Sequence, residues 1–211
     1  MSAFLLSAYD LLISRGSTGE RPDLLKKKSL SAGGKDAVRR ADLLIEDQKR
    51  RTAQPFGKST VAVAGCEVIA LYNALCWRFG EERISFEQLI AIFEKRGMAL
   101  GGRWGTSPKA LHRWLKKSGF RTVLESRASR FDEAAAGCDS VIVSFFNDRK
   151  NVLRGVHTVC MTREAAGFVI HNLTEDGRTY GPYDQVSAGL EQATAGKAGP
   201  LCLIGMKKDK S

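Results

Sequence analysis

The stretch VHTVCMTREAAGFVIHNL, residues 156–173, decides how this chain is read. Two runs rich in β-branched and apolar residues flank a short polar break at Arg163, Glu164, Ala165, Ala166 and Gly167, which is the pattern of two antiparallel strands joined by a hairpin turn. A turn centred between Glu164 and Ala165 sets His157 directly opposite Asn172. The side chains of such a pair share a face at a Cβ separation of about 4.5–5.5 Å, so a carboxamide oxygen can accept a proton from one ring nitrogen. His157, Val159, Met161, Phe168, Ile170 and Asn172 then occupy one face, and Thr158, Cys160, Thr162, Val169 and His171 the other. A slip of one residue would exchange the two sets.

Working backward, Gly65 and Cys66 open a helical pattern in which Val68, Ile69, Leu71, Tyr72, Leu75, Cys76 and Phe79 recur on one side before Gly80 ends it. A thiol in the first turn of a helix faces unpaired N–H groups and the positive end of the dipole, which favour thiolate. Gly65 is expected to leave room for a substrate backbone. The other cysteines, Cys76, Cys138, Cys160 and Cys202, fall on apolar faces or strands and read as core. Five cysteines without a C-x-x-C pair argue against a disulfide framework and against a structural zinc, and nothing in the chain calls for a cofactor.

A second helix is expected over residues 85–96, with Ser85 and Gln88 forming a capping box, and a third after Ser107 and Pro108, reaching residue 118 and carrying His112 on its exposed side. Between them lies a glycine-rich loop whose Trp104 is a candidate cleft wall. Strands follow at 120–124, 140–146, 156–162, 168–173 and 201–206, with one more helix at 183–194. Helices first and a mostly antiparallel sheet second is an α+β order.

Residues 1–57 read differently. Turn formers at Gly16, Gly19, Pro22, Gly33, Gly34, Pro55 and Gly57 surround one expected helix at 36–51, so this segment is taken as an arm or pro-segment-like extension and residues 58–211 as the domain. The 211 residues, 43% hydrophobic and 27% charged, are enough for one packed core. No apolar run reaches the ~18 residues of a membrane helix, and residues 1–13 lack a basic leader, so a soluble cytoplasmic protein is expected. The net charge of +10 is spread along the chain, with 11 basic and 7 acidic side chains in residues 1–57, so a nucleic-acid surface is not expected.

Cys66, then His157, then Asn172 is the chain order of a nucleophile, a base and the group that orients the base. The run from Gly65 to Leu75, the segment Gly105, Thr106, Ser107 and Pro108, and the strands bearing His157 and Asn172 together resemble the C39-like cysteine peptidases, a papain-fold group, over roughly residues 61–206. The resemblance implies a papain-like α+β domain that cleaves a peptide or protein substrate, with Cys66 as nucleophile, His157 as general base and acid, and Asn172 as orienter. Many members have Asp at the third position where this chain has Asn172. Many also carry a Gln six or seven residues before the nucleophile, where Ser59 and Thr60 stand here, so Gln54 becomes the candidate oxyanion donor. Some members cut after paired glycines, which makes Gly33 and Gly34 a candidate self-processing point. A catalytically silent fold that binds an acidic partner through its basic surface is the alternative.

Overall fold

The computed structural model describes residues 42–95, 97–99, 105–174 and 176–207. Gly33, Gly34, Trp104 and the first part of the expected helix at 36–51 lie outside the described residues.

The helix that begins at Cys66 is hydrophobic almost all round, and it is accordingly central. In chain order the structure runs through a small hairpin of β1 (Pro55–Phe56) and β2 (Ser59–Thr60), a single turn α1 (Val61–Ala64), and then α2 (Cys66–Phe79). Every residue of α2 except Arg78 is buried, including Glu67 and Asn73. The helix stops at Gly80, whose left-handed conformation lets its N–H close on the Cys76 carbonyl. Next comes α3 (Phe86–Lys95), entered through the expected capping box: Gln88 N–H donates to Ser85 Oγ, and Ser85 N–H donates to Gln88 Oε1. Pro108 occupies the first position of α4 (Pro108–Lys117). His112 is half-buried on α4, and burial lowers its pKa, so the exposed placement expected for it is corrected.

Six strands form one antiparallel sheet: β3 (Thr122–Glu125), β4 (Cys138–Phe146), β5 (Val156–Glu164), β6 (Gly167–His171), β7 (Tyr180–Tyr183) and β8 (Gly199–Lys207), in the spatial order β3-β8-β4-β5-β6-β7. Two short helices, α5 (Phe131–Ala135) and α6 (Val186–Ala193), complete the chain. One face of the sheet, with Ile142, Cys160, Ile204 and Met206, packs on α2 and through it on α3 and α4. The other face, with Val143, Val159, Met161 and Ile170, packs under Phe131 of α5 and Val186 and Leu190 of α6. Covered on both sides, β4 and β8 read as nearly continuous apolar runs. The α+β class and antiparallel sheet expected from the sequence are present.

The hairpin holds its faces but not its register. Met161 pairs with Ile170 and Glu164 with Gly167, so the turn is Ala165 and Ala166, and the pairing is displaced by two residues from the one expected. Because side chains alternate with period two, a shift of two leaves each residue on its predicted face while removing His157 from the position opposite Asn172.

The boundary at residue 57 also moves. Residues 42–51 contain a turn and one 3-10 turn (Gln48–Arg51) in place of the expected helix, and Ile45 joins the core with α2. This segment finds its backbone partners in distant side chains. Ile45 N–H donates to Asn73 Oδ1 at 2.8 Å, and Asn73 Nδ2 returns a bond to the Ile45 carbonyl at 2.9 Å. Residues 42–57 therefore belong to the globular body.

Candidate active site

Cys66 stands at the first position of α2, with Gly65 between it and α1. A Cβ at residue 65 would come within 2.7 Å of the Val61 carbonyl oxygen, so the preceding turn leaves no room for a side chain there. The Gly65 N–H bonds the Val61 carbonyl, so α1 runs almost directly into α2. Cys66 is 5% exposed, yet its side chain lines two adjoining cavities.

The first cavity, of about 250 Å³, gathers Gln48, Lys49, Cys66, His157 and Asn172. The His157 ring lies edge-on to Phe145, its cross-strand neighbour on β4, at 5.7 Å between centroids. Its Nε2 is 2.7 Å from the backbone carbonyl oxygen of Asn172. A carbonyl can only accept, so Nε2 carries the proton and Nδ1 is the basic nitrogen. Burial lowers the ring's pKa, the Asn172 carbonyl opposes that shift, and the charge of Lys49 adds to it, so the imidazole is neutral near pH 7.

Asn172 thus supplies an orienter, but through its main chain. The residue ends β6 in the left-handed region at φ +58, which asparagine tolerates better than most residues. Its side chain turns to Gln48: Gln48 N–H donates to Asn172 Oδ1 at 3.0 Å, and Asn172 Nδ2 reaches Gln48 Oε1 at 3.4 Å. The expected carboxamide contact with the ring is corrected to a carbonyl contact by the two-residue difference in pairing.

Gln48 itself went unread in the sequence. Its Nε2 donates to the Ala62 carbonyl at 3.0 Å, and the second hydrogen of that amide has no acceptor among the described residues. Gln54, the expected oxyanion donor, instead accepts from Arg51 Nη1 at 3.0 Å and pairs its carbonyl with Val61 N–H, beside the β1–β2 hairpin. A family-like spacing from the nucleophile could not find Gln48, because β1, β2 and α1 are interposed. The available signal was a glutamine among charged residues just after the apolar Leu43, Leu44 and Ile45.

On the other side of Cys66 the second cavity, of about 280 Å³, is lined by Glu67 and Gly105 and rimmed by Val63 and Leu153. Cys66 Sγ donates to Glu67 Oε2 at 3.2 Å, and Glu67 is 1% exposed. Gly105, at φ +70, is the closest wall: a Cβ there would lie 2.6 Å from the carboxyl oxygen. Burial raises the Glu67 carboxyl to about 7, against bonds from Cys66, its own amide and the Thr106 amide. Burial first, and then the neighbouring Glu67 carboxyl, push the Cys66 thiol well above its usual range, while the Thr158 and Glu67 amides act the other way. The expected preference for thiolate is therefore reversed in this resting arrangement, and no hydrogen bond joins Sγ to the His157 ring among the described residues.

The four remaining cysteines are buried free thiols, as read from the sequence. A third cavity, of about 350 Å³ and lined by Phe131 and Leu190, holds neither thiol nor imidazole. Among the described residues no cluster of side chains is suited to a metal ion, and no helix is long and apolar enough to cross a membrane. Comparison of the chain with protein-family models, curated proteins and solved structures finds no match.

Proposed function

We propose that the chain is a thiol-dependent acyl-transfer enzyme, in its simplest form a cysteine peptidase with a papain-like arrangement of helix and sheet. The observation that carries the reading is the single cavity lined by a thiol, an imidazole with its tautomer fixed and a side-chain amide with an unused hydrogen. For reaction, Sγ leaves Glu67, turns toward His157 and gives its proton to Nδ1. The sulfur then attacks a peptide carbonyl. The resulting oxyanion is held by Gln48 Nε2 and the Cys66 amide. The imidazolium protonates the leaving amine, and water, deprotonated by the neutral ring, hydrolyses the thioester.

The second reading, a silent fold that binds an acidic partner, is favoured by the thiol being held protonated against a carboxyl. Two measurements separate them. Limiting iodoacetamide labels Cys66 before the four core thiols, and cleavage of a fluorogenic peptide mixture is abolished by Cys66→Ser and lowered about 10²–10³-fold by Gln48→Ala, the usual effect of losing one oxyanion donor. Labelling of Cys66 with no Cys66-dependent cleavage leaves the binding module standing.

A further inference from the structure

We propose that the second cavity receives a substrate residue with an aliphatic stem and a cationic end, as in a lysine side chain, and that the Glu67 carboxylate selects it. The inference rests on Cys66 being the nucleophile, and it names the substrate class of that same site.

Four observations converge on it. The three exposed large apolar side chains among the described residues are Val63, 67% exposed, Val152 and Leu153, 84% exposed. Val63 and Leu153 form the rim of this cavity, and Val152 adjoins Leu153 in the same 3-10 turn (Val152–Arg154). Isolated exposed apolar residues are ordinary, but their concentration at the mouth of one cavity marks a contact surface. The volume of about 280 Å³ admits a long side chain. Its lining includes a buried carboxyl, Glu67, whose bonds come from the Cys66 thiol and from amides, with no ion pair to a cation among the described residues. The cation in the described lining, Arg154, is turned to Asp148 at 3.9 Å.

A buried carboxylate without a cation is costly, and an ammonium group supplies the missing partner. The same contact bears on the chemistry. A carboxylate 3.2 Å from the sulfur opposes thiolate formation, so a bound ammonium that neutralises it eases ionisation at the moment a matching substrate arrives. Selection and activation then share one residue.

The test uses three thiol reagents of equal chemistry and different charge: the 2-aminoethyl, methyl and 2-sulfonatoethyl methanethiosulfonates. In each case the Cys66 thiolate attacks the sulfenyl sulfur, methanesulfinate leaves and a mixed disulfide forms. Rates at Cys66 are read by peptide mapping at pH 8.5 and divided by those for 2-mercaptoethanol. The cation-to-anion ratio is expected to exceed that of the free thiol by about tenfold or more, as a unit charge at close range gives. Glu67→Gln is expected to return it to the free-thiol value. A wild-type ratio within about twofold of 2-mercaptoethanol overturns the inference, and this measurement suffices should the variant not fold. Cleavage that does not depend on Cys66 defeats the peptidase reading and the inference that rests on it, whereas a flat ratio defeats this inference alone. Failure of all three reagents at Cys66 defeats both.

Discussion

Asn172 performs two tasks with two different groups. Its carbonyl fixes the His157 tautomer, and its side chain holds the Gln48 main chain. Glycine at this position keeps the carbonyl and enters the left-handed region freely, while deleting the carboxamide. Asn172→Gly is therefore expected to leave the pH dependence of Cys66 alkylation unchanged and to lower turnover by about tenfold or more through a misplaced Gln48. A shifted alkylation profile with unchanged turnover would assign the orienting role to the side chain after all. The residue types of this site were legible from the sequence, since Cys66, His157 and Asn172 all reach one cavity. Which atom of Asn172 meets the ring was not, because that depends on a backbone dihedral and on a pairing register that alternation alone leaves undetermined.

At the scale of elements, the segment from Ile45 to Gln48 works as a strap. Ile45 is bound by Asn73 of α2, and Glu46 reaches His171 Nδ1 at 2.6 Å and the Asn172 N–H at 3.1 Å. His171 in turn contacts Thr162 Oγ1 at 2.8 Å, which accounts for both of its ring nitrogens in a structural role. Asn73→Ala removes both bonds to Ile45 and leaves buried main-chain groups unpaired, so a loss of about 2–4 kcal/mol is expected in urea unfolding. A loss under about 0.5 kcal/mol would show the strap to be held elsewhere. The strap escaped the sequence reading for a physical reason. Its partners lie as far away as β6, they are side chains, and its local composition of Glu46, Asp47, Gln48 and Lys49 looks like a solvated helix face. By contrast the helices at Ser85 and Pro108 announced themselves, since their caps are local chemistry, and the central strands did so through nearly continuous apolar runs.

For the molecule as a whole, the buried carboxyl sets an unusual acid–base balance. Glu67 is neutral in the fold up to about pH 7 but ionises near 4.5 when exposed, so its contribution to stability is fully present below 4.5 and is lost as the pH rises toward 7. The unfolding free energy of the wild type in urea should therefore fall across that window relative to Glu67→Gln, by on the order of 2–3 kcal/mol. Parallel curves for the two proteins would mean that the carboxyl is solvated. His157 runs the other way: burial holds its pKa below the usual imidazole range, so its contribution is lost as the pH falls below that range, and it is common to both proteins. The neighbouring Cys66 remains a thiol across that window, since burial and the Glu67 carboxyl push it well above its usual range.

One consequence follows from where Gln48 is tethered. The sequence invites the view that everything before residue 58 is an arm or pro-segment-like extension separate from the domain. With Ile45 seated in the core and Gln48 lining the cavity that holds Cys66, trimming beyond residue 44 would discard working parts and not a restraint. Maturation by proteolysis, if the cell uses it here, has to spare this short stretch, and an engineer shortening the chain has the same margin.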